Sequence, residues 1–282
     1  MAIDYEKEYD NRGRVPEHPE IFARWQREAA AYRKAASEAE FGVSYGPSPR
    51  HTIDLFPDKD EGATTPLALF IHGGWWRTLE PSMFSQLAAG PNANGVTVAV
   101  VGYDFCPQVT IATIIEQVRA ACLWLWRNRR RRIMVYGHSA GGHLAACMLA
   151  TDWKTLAPDA PADLVPAAYA ISGVFDLMPL LYVSQNQDLK LDETSARACS
   201  PVFWRVPAGR RLDAVVGALE SSEFLRQSRI IAEAWRQGST QTRYEGISGT
   251  NHFTIVDALG DPGSAMTARV VELARAVQGV PL

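Results

Sequence analysis

Residues 133–142 read Ile-Met-Val-Tyr-Gly-His-Ser-Ala-Gly-Gly, and residues 143–150 continue as His-Leu-Ala-Ala-Cys-Met-Leu-Ala. The opening residues form a short apolar run of the kind that makes a buried strand, and the continuation has the character of an apolar helix. Between them Gly137, Ser139 and Gly141 fit G-x-S-x-G at a strand-to-helix turn, the context this motif requires. Small neighbours let strand and helix approach each other, and a serine held in such a strained turn projects its hydroxyl from the sheet. Ser139 is the candidate nucleophile.

Outward from this turn, strand-like runs at 67–71, 96–101, 133–136, 167–172 and 212–218 alternate with helical patterns. That rhythm predicts an α/β fold, a mostly parallel sheet with helices on both faces. Ligands of such sheets bind beyond the carboxyl ends of the strands. Upstream, short β-like runs stand at 42–45 and 52–56, and 17–40 carries Ile21, Trp25, Ala29 and Tyr32 at the spacing of an amphipathic helix. The rhythm breaks at 176–207, an irregular polar stretch expected to form a small cap. A single domain over 1–282 is expected, with 1–40 as an N-terminal helical segment.

The 282 residues are 47% hydrophobic, enough for a substantial core. With 28 Lys+Arg against 31 Asp+Glu the formal charge is -3, which favours neither nucleic acid nor an anionic membrane. The expected partner is a small-molecule substrate, and a homodimer is compatible with the composition. Without a signal-like N-terminus or a membrane-length apolar run, the expected location is cytoplasmic. Cys106, Cys122, Cys147 and Cys199 form no C-x-x-C pair and read as small buried hydrophobes. The run Arg-Asn-Arg-Arg-Arg-Arg at 127–132 lies where a helix ends, and reads as a solvated helix terminus whose cations complement the dipole.

A serine hydroxyl needs a base to take its proton, and at this type of elbow the partners follow in the order serine, acid, histidine. His18, His51, His72, His138 and His143 lie before the elbow or on it, which leaves His252, in the polar loop Gly-Thr-Asn-His-Phe. The acid belongs just past a strand upstream of that histidine. Glu220 closes the run beginning at Leu212, with Glu223 one helical turn later as the reserve. Asp213 stands at the wrong end of that run, and Asp257 and Asp261 follow the histidine.

The run ending at Ile71 leads into His72-Gly73-Gly74-Trp75-Trp76. The loop after this strand supplies part of an oxyanion hole when such an elbow is present. The candidate donors are the backbone N-H groups of Gly74 and of Gly73 or Trp75, together with that of Ala140; His72 is expected to support the loop by hydrogen bonding. Trp75, Trp76, Phe105, Phe175 and Phe253 flank predicted strand ends and are candidates for an aromatic substrate pocket, with plain core as the alternative for each.

Taken in order, His-Gly-Gly-Trp-Trp at 72–76, Tyr-Asp-Phe-Cys-Pro-Gln-Val-Thr at 103–110, Gly-His-Ser-Ala-Gly-Gly-His at 137–143, Ile-Ser-Gly-Val-Phe-Asp-Leu at 171–177, Ser-Glu-Phe at 222–224 and Asn-His-Phe at 251–253 resemble the kynurenine formamidase (arylformamidase) branch of the α/β-hydrolase fold. The resemblance runs from about Tyr5 to the C-terminal helix. It implies hydrolysis of an aryl formamide such as N-formylkynurenine without metal or other cofactor, with Ser139 as nucleophile, His252 as base, Glu220 at the acid position and the His-Gly-Gly loop as oxyanion hole. The sequence departs from the family's frequent Asp at the position of Glu220 and from its frequent Tyr at Trp75. A carboxylesterase fits the same residues, and a non-catalytic ligand receptor on this fold is the remote alternative.

Overall fold

The computed structural model describes residues 3–238 and 240–278; residues 1 and 2 of the expected N-terminal segment fall outside them. Strands β1 (Glu40–Ser44), β2 (Thr52–Phe56), β3 (Leu67–Ile71), β4 (Thr97–Val101), β5 (Ile133–His138), β6 (Ala167–Ile171), β7 (Arg211–Gly217) and β8 (Gln241–Ile247) form one sheet in the order β1-β2-β4-β3-β5-β6-β7-β8. β2 is antiparallel to both β1 and β4, and the pairs from β4 through β8 are parallel. The mostly parallel sheet expected from the alternating runs is present.

Strand geometry sends successive side chains to opposite faces, so each central strand feeds two cores. Along β3, Leu67, Leu69 and Ile71 enter one apolar cluster while Ala68 and Phe70 enter the other. Helices Ile111–Arg129, Ala140–Leu149 and Ser222–Arg236 close the first cluster; His18–Ala35 and Ala265–Gln278 close the second. Helix His18–Ala35 buries Ile21, Trp25 and Ala29, the stripe its spacing predicts. The stretch 176–207 folds into short helical turns, Met178–Tyr182, Asn186–Leu189, Glu193–Ala198 and Pro201–Phe203. Among the described residues no helix is long and apolar enough to cross a membrane, and all four cysteines are buried free thiols.

Two features differ from expectation. β8 has no counterpart among the predicted strands, because Gln-Thr-Arg-Tyr-Glu-Gly-Ile lies at the sheet edge, alternates half-buried with exposed positions and so carries no apolar run. The arginine run is not simply solvated either. Arg130 ends the helix in a left-handed conformation at φ 53°, and Arg131 and Arg132 turn inward to 4% and 5% exposure. Carboxylates of neighbouring segments neutralise the run: Asp159 pairs with Arg127, Glu40 with Arg129, Glu61 with Arg131 and Asp163 with Arg132. Buried guanidinium groups require such partners.

The register positions the site. Ile71 pairs with Gly137, His138 with Ile171, Ile171 with Val215, and Gly217 with Ile247. The residues that follow β3, β5, β6, β7 and β8 therefore emerge along one rim.

Candidate active site

Ser139 joins β5 to helix Ala140–Leu149 at φ 57°, ψ -118°. A non-glycine residue in such a region costs about 1–3 kcal/mol and persists only where its surroundings impose it. They do: Ser139 N-H donates to the Ile171 carbonyl at 2.8 Å, and His143 N-H donates to the Ser139 carbonyl at 3.1 Å. The helix sits close against β3, and a Cβ on Gly141 would lie 1.8 Å from the Ile71 carbonyl oxygen.

Glu220 and His252 come from the loops after β7 and β8. The two loops are stitched together where Ala218 N-H donates to the Ile247 carbonyl and Leu219 N-H to the Thr250 carbonyl. Glu220 Oε2 meets His252 Nδ1 at 2.6 Å, with both side chains almost fully buried. Its Oε1 accepts from Ser172 Oγ at 2.5 Å and from Gly217 N-H at 2.7 Å. The carboxylate is thus held on both oxygens, and it requires Nδ1 to carry the imidazole proton. Glu223, the reserve acid, is engaged elsewhere: it takes a two-pronged contact from Arg226, at 2.8 Å on each oxygen, and accepts from Tyr9 Oη at 3.0 Å.

Ser139 and His252 line the same cavity, about 680 Å³ counted out to its open mouth. Among the described residues neither Ser139 Oγ nor His252 Nε2 has a protein hydrogen-bond partner, so both remain available to a ligand. In ligand-free sites the bond between nucleophile and base is often long or poorly aligned and tightens when substrate binds.

Residues 68–254 match the family described as alpha/beta hydrolase fold. The chain belongs to this family. It is 28% identical over 250 residues to a kynurenine formamidase of Danio rerio, covering 85% of this chain and 83% of the relative. To a kynurenine formamidase of Salmo salar it is 28% identical over 258 residues, covering 88% and 86%. A solved structure of a candidate thioesterase from Silicibacter sp. TM1040 superposes with TM-score 0.84 at 31% identity, covering 95% of this chain and 99% of that one.

In this α/β-hydrolase chain the loop after β3 is a strained turn. Gly74, Trp75 and Trp76 have φ of 111°, 56° and 53°, and Arg77 and Thr78 N-H groups close the turn on the Gly74 carbonyl. Gly73 lies so near the elbow that a Cβ there would meet Ser139 Cβ at 3.0 Å and the His138 carbonyl oxygen at 2.8 Å. Among the described residues the backbone N-H groups of Gly73, Gly74, Trp75 and Ala140 donate to no loop or turn acceptor. Gly74 and Trp75 line the cavity. His72, wholly buried between the rings of Tyr103 and Phe84, supports the loop from within: its Nδ1 bonds the Gly73 carbonyl at 2.7 Å. Burial lowers its pKa to about 4, so the ring is neutral.

The aromatic candidates divide. Trp75 and Phe253 line the cavity; Trp76, Phe105 and Phe175 do not. The positive φ at Trp76 turns its indole into the core, edge-on to His143 at 5.0 Å. Phe175 is fully buried against Gly173, and the Phe105 ring lies 3.5 Å below the Arg50 guanidinium in a neighbouring depression.

Sequence reasoning missed several members of the site. Ser172 holds the Glu220 carboxylate. His138 Nε2 bonds the His252 carbonyl at 2.7 Å, anchoring the histidine loop. Burial first, and then the neighbouring His252, lower the His138 pKa well below normal, so it adds no charge beside His252. The N-terminal segment closes on the site as well: Tyr9, Asn11, Arg12, Phe22 and Trp25 line the cavity, residues that no sequence signal singled out for this role. Their segment is held against the body of the fold, with Glu6 bonded to Ser184 and Glu8 to Ser222 and the Glu223 N-H.

Proposed function

We propose that this chain is a serine hydrolase that cleaves a small aryl amide or formamide, N-formylkynurenine-like, through an acyl-enzyme. The observation that carries the reading is the Glu220–His252 pair, whose imidazole lines the cavity that also holds Ser139 at its strained turn. Ser139 Oγ attacks the scissile carbonyl, and His252 Nε2 takes its proton. Glu220 keeps the Nδ1-H tautomer and stabilises the imidazolium that forms. The carbonyl oxygen, as it becomes negative, is met by the N-H of Ala140 and those of the Gly73–Trp75 turn, each donor worth on the order of 10²- to 10³-fold. His252 passes the proton to the leaving nitrogen, and water then releases the acid.

Substrate class rests on the cavity wall and the relatives. Phe22, Trp25, Trp75, Phe84 and Phe253 surround the space beside Ser139, and burying about 100 Å² of an aryl ring there contributes about 2.5 kcal/mol to binding. The kynurenine formamidases of Danio rerio and Salmo salar align over most of the chain. A second reading, an esterase or thioesterase on small acyl groups, is favoured by the likeness to the candidate thioesterase from Silicibacter.

Comparing N-formylkynurenine with p-nitrophenyl acetate decides between the two. The proposed activity gives kcat/KM of about 10⁴ M⁻¹s⁻¹ or more on the formamide, within the ordinary enzyme range. Rapid ester cleavage with no detectable release of formate overturns the formamidase reading and leaves the esterase.

A further inference from the structure

Three Asp and Arg side chains line the cavity that holds Ser139, and two of them are engaged. Asp10 caps the short helix Asn11–Arg14, its carboxylate folded against Gly13 with Oδ1 accepting the Gly13 N-H at 2.9 Å. Arg77 is paired with Asp188. The third, Arg12, makes no ion pair and no hydrogen bond among the described residues. It is exposed, so a ligand in the cavity can reach it.

The surroundings of Arg12 say what it would bind. Its guanidinium stands over the Phe22 ring, 5.9 Å from the centroid, within the range of a cation–π contact. Phe22 in turn stacks on Trp25 and meets Phe253 edge-on, each at 5.2 Å, and all three rings line the cavity. Trp25 and Phe253 are buried while Arg12 is exposed, so the free cation stands at the solvent end of the aromatic wall. A second free donor lines the same cavity. Gln185 is half-buried, and its Nε2 has no protein partner among the described residues yet is not sealed from solvent. The neighbouring Ser184 N-H donates to Glu6 at 2.6 Å, which ties the segment of Gln185 to that of Arg12. Aromatic rings that end in an unpaired guanidinium and an unpaired amide suit an aryl group that carries an anion, since the planar guanidinium offers a carboxylate two parallel N-H groups.

We propose that Arg12 determines specificity by binding a carboxylate on the aryl leaving group, so that the chain prefers anionic aryl amides to neutral ones. This deepens the aryl amide reading given above and rests on it. In an aryl amide the ring belongs to the leaving amine, so a ring seated against Phe22, Trp25 and Phe253 brings its own substituents to Arg12, away from the acyl carbon at Ser139. A contact so far from the reacting carbonyl is the same in the ground state and in the transition state. It therefore acts on KM and leaves kcat nearly unchanged.

N-formylkynurenine, whose leaving arylamine bears a carboxylate, and its uncharged α-carboxamide test this in the parent, Arg12→Gln and Arg12→Lys. In the parent, KM for the carboxylate is expected to lie about fivefold below that for the carboxamide, the size of one charge-assisted contact discounted for its exposure. The two kcat values agree within about twofold. In Arg12→Gln the KM of the carboxylate rises about fivefold to meet that of the carboxamide, and kcat again stays within about twofold. Arg12→Lys, which keeps the charge, retains a preference of about threefold. Lost packing over Phe22 would move both KM values together, so the preference between the two substrates is what reads the anion contact. A parent that treats the pair alike, or an Arg12→Gln protein that keeps the preference, overturns the inference. Cleavage of p-nitrophenyl acetate with neither formamide hydrolysed overturns the formamidase reading instead. In that event 4-acetoxybenzoate against 4-acetoxybenzamide reads Arg12 in the same three proteins, and equal KM values for that pair in the parent overturn the inference as well.

Discussion

Ser139→Ala is expected to lower kcat by on the order of 10⁴- to 10⁶-fold while melting within a few degrees of the parent. The two halves of that expectation have separate causes. The hydroxyl is the proposed nucleophile, so its removal leaves only binding and the oxyanion donors. Yet Ser139 Oγ makes no protein hydrogen bond among the described residues, and alanine at φ 57° carries the same backbone strain as serine. Ser139→Gly separates strain from chemistry further. Equally inactive, it is expected to exceed Ser139→Ala in stability by about 1 kcal/mol, because glycine adopts positive φ freely. Turnover by purified Ser139→Ala at the parent's rate contradicts the mechanism.

Gly141→Ala is the second large effect, and it falls on the fold. The added Cβ would stand 1.8 Å from the Ile71 carbonyl oxygen and 2.7 Å from that of His72. Both are backbone atoms on β3 or just past it, in the middle of the sheet, so no side chain can rotate away. The helix must move off the strand, which costs more than about 3 kcal/mol and displaces Ser139 from its donors. Denaturant unfolding checks this, with Gly246→Ala as control. Nothing lies within 4 Å of a Cβ at Gly246, and its midpoint stays near the parent's. A Gly141→Ala protein with parental midpoint and activity means that the tight helix–strand approach is not required.

What was legible in the chain, and what was not, follows from how local each signal is. Ser139 is written in one turn: strand, small residues and helix are contiguous. His252 could be reached by order alone, since the other histidines lie before the elbow or on it. Glu220 and Glu223 are three residues apart and chemically alike. Only the three-dimensional structure separates them, by giving one carboxylate to His252 and the other to Arg226 and Tyr9. The same holds for Trp75 and Trp76, adjacent and identical in composition, whose directions are set by successive positive φ values. β8 escaped because an edge strand has too few buried positions to leave an apolar run. Asn11 and Tyr9 carry no motif, and periodicity tells which face of a segment is buried but not what lies against it.

Labelling by a fluorophosphonate, followed by peptide mass mapping, tests most directly the claim that Ser139, His252 and Glu220 act as one device. The predicted result is one stoichiometric adduct on Ser139, formed at least about 10³-fold more slowly in His252→Ala. No adduct, an adduct on another serine such as Ser172, or a labelling rate that ignores the loss of His252 contradicts it.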